Sequence, residues 1–316
     1  MVWPPKSHFQ AMVLWTLLLC WPALADSESA LAAARAAQDQ GRTEDAIHLY
    51  SDLLAAGDLS PANRALAINS RGIAYKDEKR FAEAIADFDT SIKLKPDYPE
   101  AYNNRGIVER DLGRLGDAIA DYTSAIGFKP DFAEAYSNRG NAYRASGKLD
   151  DAMSDYAICI KLKPDYADVY NNRGNAFAQM GQYDEAIRDY GTAIKLSPGI
   201  ADFYFNRGNA LGNANRLDEA VADYRDAIRI KPDFPEAYFN RANAYAAGHH
   251  FDEAIADYDS ALKLKPNFPA AFYNRAFIQA FVKRSLQATV ELENVAILSV
   301  PRGKLRASVA TIDRIR

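Results

Sequence analysis

The sequence predicts an all-α solenoid, a stack of antiparallel helix pairs. Three observations predict it: a 34-residue spacing that runs through most of the 316 residues, two amphipathic helices inside each period, and small or aromatic residues where helices must meet. The alanines show the period. Ala84, Ala118, Ala152, Ala186, Ala220, Ala254 and Ala288 stand 34 residues apart, and Ala46 lies 38 before Ala84, so the first junction holds four extra residues. Asn-Arg-Gly recurs on the same spacing, through Arg105-Gly106, Arg139-Gly140, Arg173-Gly174 and Arg207-Gly208. Most periods close on a proline, at Pro96, Pro130, Pro164, Pro198, Pro232 and Pro266. A fixed period of this length marks a repeat architecture, each unit being one supersecondary piece.

In one period the first helix is expected over Phe132–Ser146, a turn at Gly147 and a second helix over Leu149–Leu162. Asp131 stands at the N-cap and Glu134 three residues later suggests a capping box, while Pro164 stops the second helix. Neither helix buries its apolar stripe alone, so stacked neighbours supply the core. Tyr136, Gly140, Tyr143, Gly147, Ala152, Tyr156 and Pro164, on this period, resemble the tetratricopeptide repeat (TPR). The resemblance implies a right-handed superhelical solenoid with Gly140 and Ala152 at close helix approaches and the tyrosines between them. Eight units cover 27–302; the six from Asn69 to Phe268 match strongly, with Glu109 and Leu211 replacing the aromatic of the Tyr143 place. The first unit is degenerate, with Ala34 at the glycine place; the last keeps Asn274-Arg275-Ala276 and Ala288 but has Gln279 at the aromatic place. Length alone suggests about two domains, and the repeat replaces them with one array. In 303–316, Leu305, Val309, Ile312 and Ile315 at helical spacing read as a helix capping the open end; the alternative is a basic docking patch.

Residues 1–25 read as an address. Lys6, the apolar run Ala11–Trp21, the small residues Ala23 and Ala25 and the polar stretch from Asp26 have the order of a cleaved secretory signal. The run is shorter than the roughly 20 residues of a membrane span, and Leu19 before Cys20 is the wrong neighbour for a lipoprotein signal. Cleavage leaves no integral span and takes the chain across the inner membrane to the periplasm if the source is a Gram-negative bacterium, or into the secretory pathway if it is a eukaryote; a retained anchor is the alternative reading of the segment. It also removes Trp3, Trp15 and Trp21, all the tryptophan of the chain, and leaves Cys159 as the lone cysteine. The net charge of -4 argues against a nucleic-acid partner.

The resemblance implies a concave groove, lined by the first helices, that binds protein or peptide partners. Four tracks lie on these helices. Asn104, Asn138, Asn172, Asn206, Asn240 and Asn274 form a ladder of amides, with Asn141, Asn175, Asn209 and Asn243 one turn further on. Amides offer donors and an acceptor together and can pair with any peptide backbone; the ladder resembles that in the repeat domain of O-linked N-acetylglucosamine transferases. The alternative is hydrogen bonding between helices of the array. Arg71, Arg105, Arg139, Arg173, Arg207, Arg241 and Arg275 each precede a carboxylate by 16 residues, Asp87, Asp121, Asp155, Asp189, Asp223, Asp257 and Glu291, which suggests internal ion pairs rather than ligand contacts. A third track changes from Asn69, Asn103, Ser137 and Asn171 to Phe205, Phe239 and Tyr273, either a stickier end of the groove or packing between repeats. The acidic track Glu100, Glu134, Asp168, Asp202 and Glu236 reads as helix N-terminal capping, with a rim for basic ligands as the alternative.

No catalytic set, phosphate loop, metal cluster or cofactor motif is recognisable. His249 and His250 fall in an inter-helix turn, and Cys159 replaces an alanine of other units, as a buried small residue would. The expected function is a non-catalytic protein- or peptide-binding scaffold of the cell envelope. Resemblance to envelope repeat proteins implies partners in cell-wall or outer-membrane maintenance. Two other classes stand beside it: self-association through exposed repeat ends, and a carbohydrate-binding groove.

Overall fold

The structure is a computed structural model and describes residues 27–299. The signal read at 1–25 and the capping helix read at 303–316 lie outside the described residues. The described residues are helical throughout, with no strand. Helix α1 covers 27–39; α2 Thr43–Ala56, α3 Pro61–Asp77, α4 Phe81–Leu94, α5 Pro99–Asp111, α6 Leu115–Phe128, α7 Ala133–Ala145 and α8 Leu149–Leu162 follow. Then come α9 Ala167–Gln179, α10 Tyr183–Leu196, α11 Ala201–Asn213, α12 Leu217–Ile230, α13 Pro235–Ala247, α14 Phe251–Leu264 and α15 Pro269–Ser299. The described residues group into two compact bodies, the first ending at Asn172 and the second beginning at Arg173.

Each short turn folds its second helix back along the first. Between α7 and α8 the Gly147 N–H donates to the Arg144 carbonyl (3.1 Å) and the Lys148 N–H to the Tyr143 carbonyl (2.9 Å). Gly147 takes φ +75° there, a left-handed conformation that glycine adopts freely. Lys79, Asn215 and His249 make the same turn with positive φ. Tyr156 and Ala152 from α8 are fully buried in the first body, and Gly140 lets the Tyr156 ring lie on the α7 backbone: a Cβ added there would stand 2.7 Å from the ring. In the second body the chain repeats the pattern, but Ala242 fills the glycine place beside buried Tyr258.

Two expectations are corrected. The capping box of Asp131 and Glu134 does not form: Phe132 is the N-cap residue of α7 and no side chain caps it. The entering chain turns on its own backbone, Phe132 N–H to the Lys129 carbonyl (3.1 Å) and Ala133 N–H to the Asp131 carbonyl (3.0 Å). Glu134 instead accepts from Lys163 Nζ at 2.9 Å. The eighth period also does not turn. α15 is one helix of 31 residues, because Val282, Lys283, Arg284 and Ser285 stand where Gly248, His249, His250 and Phe251 make the preceding turn. A β-branched residue and two good helix formers replace the turn residues, and a serine replaces the apolar residue that opens α4, α6, α8, α10, α12 and α14.

Candidate functional site: an amide-lined cleft on the second body

The arginine track is structural. Arg71, Arg105 and Arg139 in the first body hold Asp87, Asp121 and Asp155 through Nε and Nη2, at 2.6–2.9 Å. Arg173, Arg207 and Arg241 in the second body hold Asp189, Asp223 and Asp257 in the same fork, at 2.7–2.8 Å. All six aspartates are buried. The hydrogen-bonded carboxylate raises the guanidinium pKa of Arg71, Arg105, Arg139 and Arg207. In the first body the remaining Nη1 reaches back one unit, from Arg71 to Ser51 (3.1 Å), from Arg139 to Thr123 (3.1 Å), and from Arg105 to Asp89. Each pair therefore ties two helices of one unit, and in these three it also ties two units.

The asparagines are half-buried and largely turned toward one another. Asn104 Nδ2 donates to Asn69 Oδ1 at 3.1 Å and Asn138 Nδ2 to Asn103 at 3.0 Å. In the second body Asn240 donates to Asn209 (2.8 Å) and Asn274 to Asn243 (2.9 Å). Asn172 and Asn206 sit half-buried at the same place. Each pairing uses one of the two N–H groups of the donating amide. The second set also has an internal role that the sequence reading missed: Asn141, Asn175, Asn209 and Asn243 accept the phenol protons of Tyr156, Tyr190, Tyr224 and Tyr258, at 2.7–2.8 Å. The signal was visible. Asn precedes Tyr by 15 residues in these units, and where Phe88 replaces the tyrosine, Ile73 replaces the asparagine.

On the third track, Phe205 packs on Tyr224 and Phe234 and Phe239 on Tyr258 and Phe268, with ring centroids 4.7–6.0 Å apart. Both phenylalanines are half-buried, whereas Tyr273 is 72% exposed. Three members of the acidic track join the lysine before the next proline: Glu100 with Lys129 (3.5 Å), Glu134 with Lys163 and Glu236 with Lys265 (2.9 Å each). The lysine hydrogen bond lowers the pKa of Glu134 and Glu236. Cys159 is buried and burial pushes its thiol up to about 12.

The second body carries two adjoining clefts on this first-helix face. One, of about 480 Å³, is lined by Asn209, Gly212, Asn213, Leu217, Tyr224, Asn240, Asn243, Ala244 and Ala247. The other, of about 340 Å³, is lined by Asn243, Ala246, Tyr258, Tyr273, Asn274, Phe277 and Ile278. Asn243 belongs to both, and no charged residue lines either. What opens them is a missing side chain. At one place of the period the first body has Lys76, Arg110 and Arg144, where the second has Ala178, Gly212 and Ala246. In the first body Lys76 pairs with Asp77 (3.0 Å) and Arg110 with Asp111 (3.0 Å), so that surface is ionic. The second is amide and apolar. A charged group entering it would lose water without meeting a counter-charge, whereas a peptide backbone would find both donors and acceptors. Among the described residues no group of side chains is arranged to hold a metal ion, and no helix is long and apolar enough to cross a membrane.

Family models agree with this architecture. A model described as TPR repeat matches five overlapping segments from residue 72 to residue 248, and one described as tetratricopeptide repeat matches 235–268. The chain is 37% identical over 76 residues to the Hsp70-Hsp90 organizing protein of Triticum aestivum, which covers 24% of this chain and 12% of that protein. Among solved structures, a tetratricopeptide repeat protein from Parabacteroides merdae superposes with a TM-score of 0.61 at 17% identity, covering 80% of this chain and 98% of that one. YrrB, described as a TPR protein with an unusual peptide-binding site, gives 0.50 at 21% identity, covering 60% of this chain and 97% of its own. Likeness at these identities is likeness of fold. With the repeat models matched over most of the residues between 72 and 268 and the helix pairs built as described, the chain belongs to the tetratricopeptide repeat family.

Proposed function

We propose that the chain is a non-catalytic scaffold that holds an extended, uncharged polypeptide segment on the first-helix face of its second body. The observation that carries this is the neutral lining of the two clefts that share Asn243, opened where Gly212 and Ala246 replace the long cations of the first body. Asn213, Asn240 and Asn274 supply amide groups to a bound backbone, and Tyr224, Ala244 and Ala247 a less polar floor. The peptide-binding site named for YrrB and the organizing role named for the wheat protein are consistent with such a use of the fold.

The test rebuilds the first body's lining in the second. Gly212→Arg with Ala246→Arg fills the clefts, and position 212 has room, since an added Cβ would stand 3.8 Å from the Tyr224 hydroxyl. Selection from a library of displayed peptides should enrich uncharged sequences on the native protein and lose them on the variant. No enrichment on the native protein, or equal enrichment on the double variant, would sink the proposal.

The address at residues 1–25 supports action in the cell envelope. Exported protein should begin at Asp26 on N-terminal sequencing. It should also emit as a tyrosine protein, because Trp3, Trp15 and Trp21 are the only tryptophans. Tryptophan emission from exported protein would show that the segment is retained.

A further inference from the structure

We propose that α15 is an exchange element: two copies of the chain swap its C-terminal halves, so that 286–299 of each copy completes the eighth repeat of the other. The observations lie at the last arginine of the track. Six arginines from Arg71 to Arg241 hold the carboxylate 16 residues further on, on a second helix folded back beside them. For Arg275 that residue is Glu291, and both lie on one unbroken helix. Sixteen residues of α-helix separate them by about 24 Å along the axis, so the two do not meet within one copy. Arg275 keeps the bond from Nη1 back to Asp259. Its Nε, the atom that holds aspartate in the other units, is buried with no hydrogen-bond partner. A buried donor left without a partner on a half-buried guanidinium is costly, and a carboxylate at this place would satisfy it.

The neighbouring apolar surface is missing the same cover. Phe205 and Phe239 are half-buried under rings that include the second-helix tyrosines Tyr224 and Tyr258. Tyr273, at the same register, is 72% exposed, and Phe277 one turn on is 59% exposed. The half of α15 that should cover them has a second-helix sequence. Ala288, Leu292 and Val295 stand at the repeat places of Ala254, Tyr258 and Ala261, all buried in α14. One chain thus holds an uncovered first helix and, continuous with it, a second-helix sequence with no turn to fold it back: Val282 stands at the place of Gly248, and Ser285 at that of Phe251. A second copy supplies both parts at once. Arg275 of each meets Glu291 of the other, a contact that closes with two-fold symmetry.

Light scattering during gel filtration of the full chain should give the mass of two chains at micromolar concentration. Arg275→Glu alone and Glu291→Arg alone place like charges at both contacts and should weaken the dimer at least tenfold, with helical circular dichroism retained. Mixing these two variants pairs opposite charges at both contacts and should restore a dimer. Val282→Gly with Ser285→Phe rebuilds the turn and should give a monomer. A monomeric native chain, single variants that stay dimeric, or variants that fail to associate on mixing would overturn the exchange; so would a rebuilt turn that leaves the dimer intact.

Discussion

Asp155→Ala isolates the ion-pair track. The Asp155 side chain is 5% exposed and that of Arg139 16%, and two bonds of 2.8 Å join them. The variant leaves Arg139 in place with only Nη1 still bonded, to Thr123. Breaking a buried pair by removing one partner typically costs about 3–5 kcal/mol, far more than the pair contributes against an apolar replacement. Arg139 can tilt its head toward water through its exposed edge, which places the cost near the low end, about 3 kcal/mol. Replacing both partners, as Arg139→Leu with Asp155→Leu, removes the stranded charge and should come within about 1 kcal/mol of the native chain. The exposed pair Arg42–Asp45, with both side chains more than half exposed, should cost less than about 1 kcal/mol when broken. Urea denaturation followed by circular dichroism measures all three. Amide hydrogen exchange should show the Asp155→Ala loss centred on α7 and α8, because stability in repeat arrays is set by neighbours. A single variant that loses less than about 1 kcal/mol, or a double variant as damaged as the single, refutes the reasoning.

Tyr156→Phe removes a phenol bonded to Asn141 at 2.8 Å and should cost about 1 kcal/mol. Tyr122→Phe should be neutral or stabilising, because the Tyr122 hydroxyl is buried without a partner; thermal melts of the two variants decide. Phe239→Ala strips the rings of Tyr258 and Phe268 of a neighbour and should cost about 2 kcal/mol, somewhat less than a fully buried Phe. Burial holds the Cys159 thiol and the Tyr156 phenol up at about 12. Both contributions are whole below the unfolded values near 9 and 10 and are lost as pH rises from there toward 12. Melting temperature should therefore fall above about pH 9, and Cys159→Ala, which installs the residue of Ala125 and Ala193, should remove part of that fall.

Features read across one period were legible in the sequence. The arginine and its aspartate, 16 residues apart, rise and fall together: the first unit has Ala33 and Leu49 in their places. Such a pair is legible because a buried charge tolerates few alternatives. The amides were harder. On spacing alone Asn141 belongs to the amide surface of the groove helices, yet its side-chain carbonyl accepts from Tyr156. An asparagine is satisfied equally by a neighbour, a ligand or water, so residue type does not choose among them. The cleft was harder still, since Gly212 and Ala246 make it by what they lack.

The sequence by itself determined the helix pairs, their 34-residue register and the partner of each arginine from Arg71 to Arg241. These follow from periodic burial, which repeats in every unit and adds up. Tertiary structure decided what depends on competition among nearly equal partners. It gave Glu134 to Lys163 rather than to a cap, turned the asparagines onto each other and onto tyrosines, and kept α15 straight through Lys283. A positive-φ turn is adopted at Lys79 and not at Lys283, although the residue is the same. The difference lies in the flanking residues: Phe81 packs α4 against Ile73 and Tyr75 of α3, whereas Ser285 brings no apolar side chain to that place and Val282 and Arg284 let the helix continue.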